Sequence, residues 1–89
     1  MDIFFEGTPL DKWKEIILNA SPTLVGLELE ALLERVAVYE ALLEAQNIDI
    51  ESAFKQYYFD EANKEILSAA KNNLAIDSMA KILGNYESV

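Results

Sequence analysis

The apolar residues of this chain recur at helical spacing along most of its length. Strict alternation of apolar and polar residues, which is typical of a half-buried strand, is almost absent. Only two prolines and three glycines interrupt the sequence. The pattern predicts an all-α protein: a small helical bundle built on an antiparallel two-helix hairpin, with a short N-terminal and a short C-terminal helix.

Start signals divide this pattern into helices. Thr8 followed by Pro9, and Ser21 followed by Pro22, each place a capping residue directly before a proline suited to the first helical position. Asn47 or Asp49 is the next candidate cap. We expect the helices on either side of this turn to fold back on each other, because only a few residues join them.

Stop signals complete the division. Asn72 and Asn73 indicate an end or a kink, and Gly84 is a candidate C-terminal cap. A single domain over residues 1–89 is therefore predicted, with helices at 9–20, 22–46, 49–72 and 75–83. Within 49–72, Asp60 and Lys64 are expected to pair along one continuous helix.

The first seven residues, MDIFFEG, carry a cluster of apolar side chains before a glycine. Ile3, Phe4 and Phe5 form either a strap that closes one end of the bundle or a short motif that docks elsewhere. The strap is favoured, because Trp13 and Ile17 need a cover.

Residues 24–45, LVGLELEALLERVAVYEALLEA, contain fifteen apolar residues out of twenty-two. On a helical wheel they separate into two seams, divided by Glu28, Arg35 and Gln46. The first seam has coiled-coil spacing and contains Val25, Leu29, Leu32, Val36, Tyr39 and Leu43. The second contains Leu24, Leu27, Ala31, Val38, Leu42 and Ala45.

The other helix of the hairpin is expected to cover one seam. The second seam then needs a different surface to bury it. Three candidates are open: the first helix through Trp13, Ile16 and Ile17, a second copy of the chain, or a different protein. The segment FKQYYF adds aromatic side chains that span more than one helix face and are either packed or available as interface anchors. The predicted protein interface consists of Leu24, Leu27, Ala31, Val38, Leu42, Tyr57, Tyr58 and Phe59.

Charge narrows the choice of partners. Sixteen acidic residues against seven basic ones give a formal net charge of -9, which disfavours nucleic acids and anionic membranes. We expect an acidic surface to steer the protein toward a partner with a basic surface. The predicted acidic surface consists of Glu30, Glu34, Glu40, Glu44, Asp49 and Glu51.

The chain has no histidine and no cysteine, which excludes nucleophile systems that need either residue. No catalytic, cofactor-binding or metal-binding residue is predicted, and an enzyme would be limited to carboxylate chemistry with Mg²⁺, for example through Glu61 and Glu65. Acid pairs at that spacing are more often a solvated helix face.

These observations predict a non-enzymatic, acidic helical protein that binds another protein as a small adaptor or inhibitor. It is expected to self-associate through the 24–45 helix, and such chains include phage- and plasmid-encoded inhibitors. The alternatives are a self-assembling structural or packaging component and, less favoured, a Mg²⁺-dependent enzyme. The acidic N-terminal residues lack the pattern of a signal peptide, which favours a cytoplasmic location.

Overall fold

A computed structural model describes residues 7–85 of the chain. In this range the protein has four α-helices and no strand: α1 (Pro9–Asn19), α2 (Pro22–Ala45), α3 (Ile50–Tyr58) and α4 (Lys64–Ala80). A 3₁₀ turn (Glu61–Asn63) precedes α4, and a π-helical segment (Lys81–Asn85) follows it. The predicted all-α class is confirmed. The first six residues of the predicted strap lie outside the described residues.

The two proline-led helix starts differ in their capping. At α1, the Asp11 N–H donates to Thr8 Oγ1 at 3.2 Å and the Thr8 N–H donates to Asp11 Oδ2 at 3.2 Å, which completes a capping box. At α2, Ser21 occupies the cap position, but its side chain makes no capping hydrogen bond. The local capping signals in the sequence therefore located the starts of both helices, but Ser21 does not cap in the way that Thr8 does.

The turn between α2 and α3 is held by a left-handed residue and a new cap. Asn47 has a φ of 60°, and the N–H groups of Asn47 and Ile48 donate to the carbonyls of Glu44 and Leu43. This pair of bonds is the Schellman arrangement, with asparagine in place of glycine. Asp49 then caps α3 by accepting from the Ser52 N–H at 3.3 Å. The turn predicted around Asn47 is confirmed.

The helix predicted over 49–72 is broken after Tyr58. Asp60 Oδ1 accepts from the Ala62 N–H at 3.0 Å, and Asn63 Nδ2 donates to the Tyr57 carbonyl at 3.1 Å. Both side chains compete with helical hydrogen bonding, so the chain turns and restarts. Lys64 pairs with Glu61 at 2.7 Å and not with Asp60, so that predicted pair is wrong.

The break predicted at Asn72 and Asn73 does not occur, because α4 runs unbroken to Ala80. Asn72 Oδ1 accepts from the Leu10 N–H of α1 at 3.1 Å, so this side chain serves a neighbouring helix and does not disturb its own. The predicted cap at Gly84 is also wrong. Gly84 lies within the π-helical segment and does not have the positive φ of such a cap.

The interior is formed where α1 packs along α4, which is the most extensive contact between helices in the described range. The Trp13 indole Nε1 donates to Ser78 Oγ at 2.8 Å, and α2 meets the π-helical segment on the other side. The buried residues come from α2, α4 and this segment, and every buried polar side-chain atom in the described range has a hydrogen-bond partner. The buried residues are Val25, Glu28, Ala75, Ser78 and Ile82.

The packed part is small relative to the molecule. The radius of gyration is 15.6 Å and the principal extents are 43 × 35 × 15 Å, whereas a compact domain of this length has a radius of gyration of about 12 Å. The hairpin is present in part: α2 contacts α3 near the turn, while the rest of the predicted second arm is α4, which packs mainly on α1.

Candidate protein-interaction surface

The second half of α2 and the whole of α3 form a surface with very little cover, which we call the open face. Every residue over 36–45 and 51–58 is exposed. The open face carries eight large apolar or aromatic side chains, all at least 38% exposed. They are Val36, Val38, Tyr39, Leu42, Leu43, Phe54, Tyr57 and Tyr58.

The two apolar seams of α2 are not separated in the way that the sequence suggested. Glu28, expected to divide them, is the most buried residue of the helix at 1% exposure, with Val25 beside it. Leu24, Ala31 and Leu32 around them are partly buried. The division therefore runs along the helix axis: the first half of α2 is covered on the side that carries Val25 and Glu28, and beyond Arg35 both seams are exposed.

Three aromatic residues of α3 and the adjoining turn contact one another. The rings of Phe54 and Tyr58 are stacked, with centroids 5.4 Å apart, and Phe59 meets Tyr58 edge-on at 5.0 Å. All three stay exposed, at 62% for Phe54 and 72% for Phe59. This arrangement orders the rings and leaves most of their surface available to another molecule.

Arg35 and Tyr39 join the covered half of α2 to the open face. The guanidinium Nη2 donates to the Tyr39 hydroxyl at 3.1 Å, and the guanidinium Cζ lies 5.7 Å from the centre of the Tyr39 ring. The hydrogen bond to Tyr39 raises the pKa of the Arg35 guanidinium above its usual value. Arginine and tyrosine are among the side chains that contribute most to protein interfaces.

The predicted interface residues fall into two groups. Leu24 and Ala31 are partly buried in the covered half of α2, and Leu27 is 46% exposed at its edge. Five others belong to the open face or adjoin it, and all are exposed: Val38, Leu42, Tyr57, Tyr58 and Phe59. The structure brings the members of this second group onto the two neighbouring helices α2 and α3 and the turn that follows α3.

All six residues of the predicted acidic surface are exposed. Four of them, Glu40, Glu44, Asp49 and Glu51, line one groove at the turn between α2 and α3, with Ile48 and Ile50. Glu30 and Glu34 lie further back along α2. The groove and the open face are therefore built by the same two helices.

Sequence reasoning missed several exposed apolar residues. Leu33, which belongs to neither predicted seam, is 71% exposed, and Phe54 and Ile66 are 62% and 57% exposed. The available signal was that α2 is apolar around most of its circumference, which is typical of a helix surrounded on several sides.

Two further properties bear on the chemistry of the described range. Residues 7–85 contain no cluster of three or more acidic side chains arranged to hold a metal ion. None of the helices described is long and apolar enough to cross a membrane.

The chain belongs to the protein family described as "Domain of unknown function (DUF2018)", whose model matches residues 5–87. No curated protein is significantly similar to the chain. The family description names no activity, so the case for a function depends on the surface described above.

Proposed function

For this member of the DUF2018 family, we propose a non-catalytic role in protein binding. The chain self-associates through the open face, and its acidic side recruits a partner with a basic surface, so that it acts as a small cytoplasmic adaptor or inhibitor. The observation that carries the proposal is α3, an amphipathic helix of nine residues with no buried residue.

A helix of this length does not hold its conformation by itself. Isolated helices shorter than about 12 to 15 residues are marginal in water, and packing of an apolar face supplies most helix stability in proteins. Within residues 7–85, the aromatic side chains of α3 stack partly on each other but remain largely exposed, at 62% for Phe54, 46% for Tyr57 and 52% for Tyr58. A second protein surface would supply the missing burial.

The amount of exposed surface agrees with this proposal. The accessible surface is 6940 Å², whereas a folded monomer of 10.0 kDa exposes about 5,200 Å². A stable interface buries about 800 Å² on each partner. The excess is therefore large enough for one standard interface.

A second copy of the chain is the first partner that we propose. Beyond Arg35 both apolar seams of α2 are exposed, so this part of the helix can pack against the same part of another copy. Covering a leucine or valine side chain contributes roughly 1.5 to 3 kcal/mol. Val38 and Leu42 are 54% and 57% exposed, so burying both in a symmetric interface would stabilise the assembly substantially.

The acidic groove supports the second half of the proposal. No lysine or arginine lies among its lining residues, and the last turn of α2 has no basic residue to offset the negative end of the helix dipole. A basic side chain from a partner would complement both the acidic groove and the negative end of the α2 dipole. Electrostatic complementarity of this kind raises association rates and fixes orientation.

Self-association is tested by light scattering on the gel-filtration peak. We expect the chain to give a multiple of 10.0 kDa, and Leu42→Glu to give the monomer mass, because a charge would have to be buried. Leu18→Glu is the matched control: Leu18 is 81% exposed on α1, away from the open face. A monomeric unmodified chain, or equal effects of both substitutions, would contradict the proposal.

Partner binding is tested by affinity capture from host lysate with the unmodified chain and with a Glu40→Gln, Glu44→Gln, Glu51→Gln variant. We expect the captured protein to be basic, to dissociate as salt rises, and to be lost with the variant. Capture that is insensitive to both salt and substitution would count against charge-guided binding.

A further inference from the structure

An apolar pocket lies between α1, α2 and α4, apart from the open face. Its volume is about 200 Å³, and an apolar cavity of about 150 Å³ holds a benzene ring. The pocket is therefore large enough for one aromatic ring or a short alkyl chain. Its walls are formed by Leu10 and Trp13 of α1, Leu32 of α2, and Lys71, Leu74, Ala75 and Ser78 of α4.

The inner wall of the pocket offers no charge to an occupant. Ala75 and Ser78 are each 4% exposed, and Ser78 Oγ already accepts a hydrogen bond from Trp13 Nε1 at 2.8 Å. That bond fastens the indole to α4. A charged group placed here would lose its hydration without gaining a charged partner, which is unfavourable. The part of an occupant that enters the pocket is therefore apolar.

Lys71 is the one charged residue among the described residues that line the pocket. It is exposed and forms no ion pair with any residue of the described range. The chain has a net charge of -9, so an ammonium group beside an apolar pocket is a local exception to its acidic character. A lysine can attract a carboxylate while its methylene groups lie along an apolar surface. The complementary occupant carries one negative charge at its outer end.

We infer that this pocket binds a small monocarboxylate with an aryl or short alkyl group. The apolar end packs beside Trp13, and the carboxylate pairs with Lys71. Lys71 and Ser78 are seven residues apart on α4, on the same side of the helix and about 10 Å apart along its axis, which is close to the length of 3-phenylpropanoate. The inference does not depend on self-association, because the pocket and the open face have no residue in common.

The test is an NMR titration of the Leu42→Glu variant, in which the proposed interface between copies is disrupted, with 3-phenylpropanoate as the probe. Trp13 is the only tryptophan of the chain, so its indole N–H gives a single signal beside the pocket. We expect this signal to shift and to saturate. The uncharged amide of the probe should bind about two- to fivefold more weakly, because it lacks the exposed ion pair. Acetate, which lacks the ring, should cause no saturable shift.

Two matched pairs of variants locate the site. Lys71→Gln should weaken binding of the acid to the level of the amide, whereas Lys64→Gln, two turns earlier on α4 and outside the pocket, should leave it unchanged. Leu74→Ala should weaken both probes alike, whereas Ile76→Ala should weaken neither. Leu74 and Ile76 are 46% and 48% exposed, and Ile76 does not line the pocket. The helical circular dichroism signal checks that each variant is folded.

Absence of a saturable shift with 3-phenylpropanoate would overturn the inference, as would equal affinity for acid and amide or unchanged affinity in Lys71→Gln. The same titration of the unmodified chain separates the inference from self-association. Binding that is present in Leu42→Glu but lost in an assembled unmodified chain would show that a second copy occupies the pocket, which would also overturn it. A monomeric unmodified chain would contradict the proposed function and should still give the expected shift.

Discussion

Trp13 and Ser78, sixty-five residues apart, are joined by a 2.8 Å hydrogen bond from the indole Nε1 to the hydroxyl oxygen. The bond fastens α1 to α4 where Ser78 is 4% exposed. Together with the bond from the Leu10 N–H to Asn72 Oδ1, it fixes the position of α1 along α4. The small packed interior of the protein depends on this contact.

Replacing Trp13 by phenylalanine should destabilise the fold by about 1 to 3 kcal/mol beyond the loss of ring area, because the Ser78 hydroxyl loses its donor in a buried position. Adding Ser78→Ala to Trp13→Phe should cost less than the sum of the two single changes, since it removes the unsatisfied group. Urea unfolding followed by circular dichroism checks both values. Strict additivity would show that the bond contributes nothing.

Thr8 and Ser21 offer a matched comparison of two cap positions before proline. Thr8→Ala should lower the free energy of unfolding by about 0.5 to 2 kcal/mol, because the capping box of α1 is lost. Ser21→Ala should change it by less than about 0.5 kcal/mol, because that side chain makes no capping hydrogen bond. Thermal unfolding of both variants decides the point, and equal losses would be the contrary result.

Asn47 tests the left-handed turn between α2 and α3. Asn47→Val should destabilise the fold by about 1 to 2 kcal/mol, since a branched side chain is unfavourable at a φ of 60°. Asn47→Gly should be neutral or slightly stabilising, because glycine adopts this conformation without steric cost. Chemical unfolding of the two variants measures both effects. If valine were tolerated as well as glycine, the turn would not have this geometry in solution.

The parts of the fold that could be predicted from the sequence are those decided by neighbouring residues. Thr8 before Pro9 placed the start of α1, and Asp49, one of the two candidate caps, placed the start of α3, because each cap bonds to an N–H group three residues along. Such signals are complete within a few residues. They located helix starts well and said little about which helices meet.

The parts that could not be predicted depend on contacts between distant residues. Asn72 was interpreted as a helix end because asparagine often bonds to its own backbone, but its oxygen bonds to Leu10 in α1, sixty-two residues away. Asp60 was interpreted as half of a helical ion pair, but it caps a new turn. The same residue type serves either role, and only the tertiary partner decides between them.

The candidate site shows the same limit. A helical wheel could place Leu42 and Val38 on the same seam, because it measures the angle around the helix axis, and both side chains are exposed. It could not show that the cover of α2 ends near Arg35, because that depends on where α1 and α4 lie along the axis. Glu28 was therefore interpreted as a polar division between two apolar seams, although the structure buries it.

Hydrogen exchange of the α3 amides tests the central claim, that the open face is covered by another protein chain, most directly. We predict that residues 50–58 are protected at concentrations where the chain is assembled, and lose this protection on dilution or in Leu42→Glu, while α4 stays protected. The molar mass is measured at each concentration by light scattering. Strong protection of α3 in a species of 10.0 kDa would contradict the account.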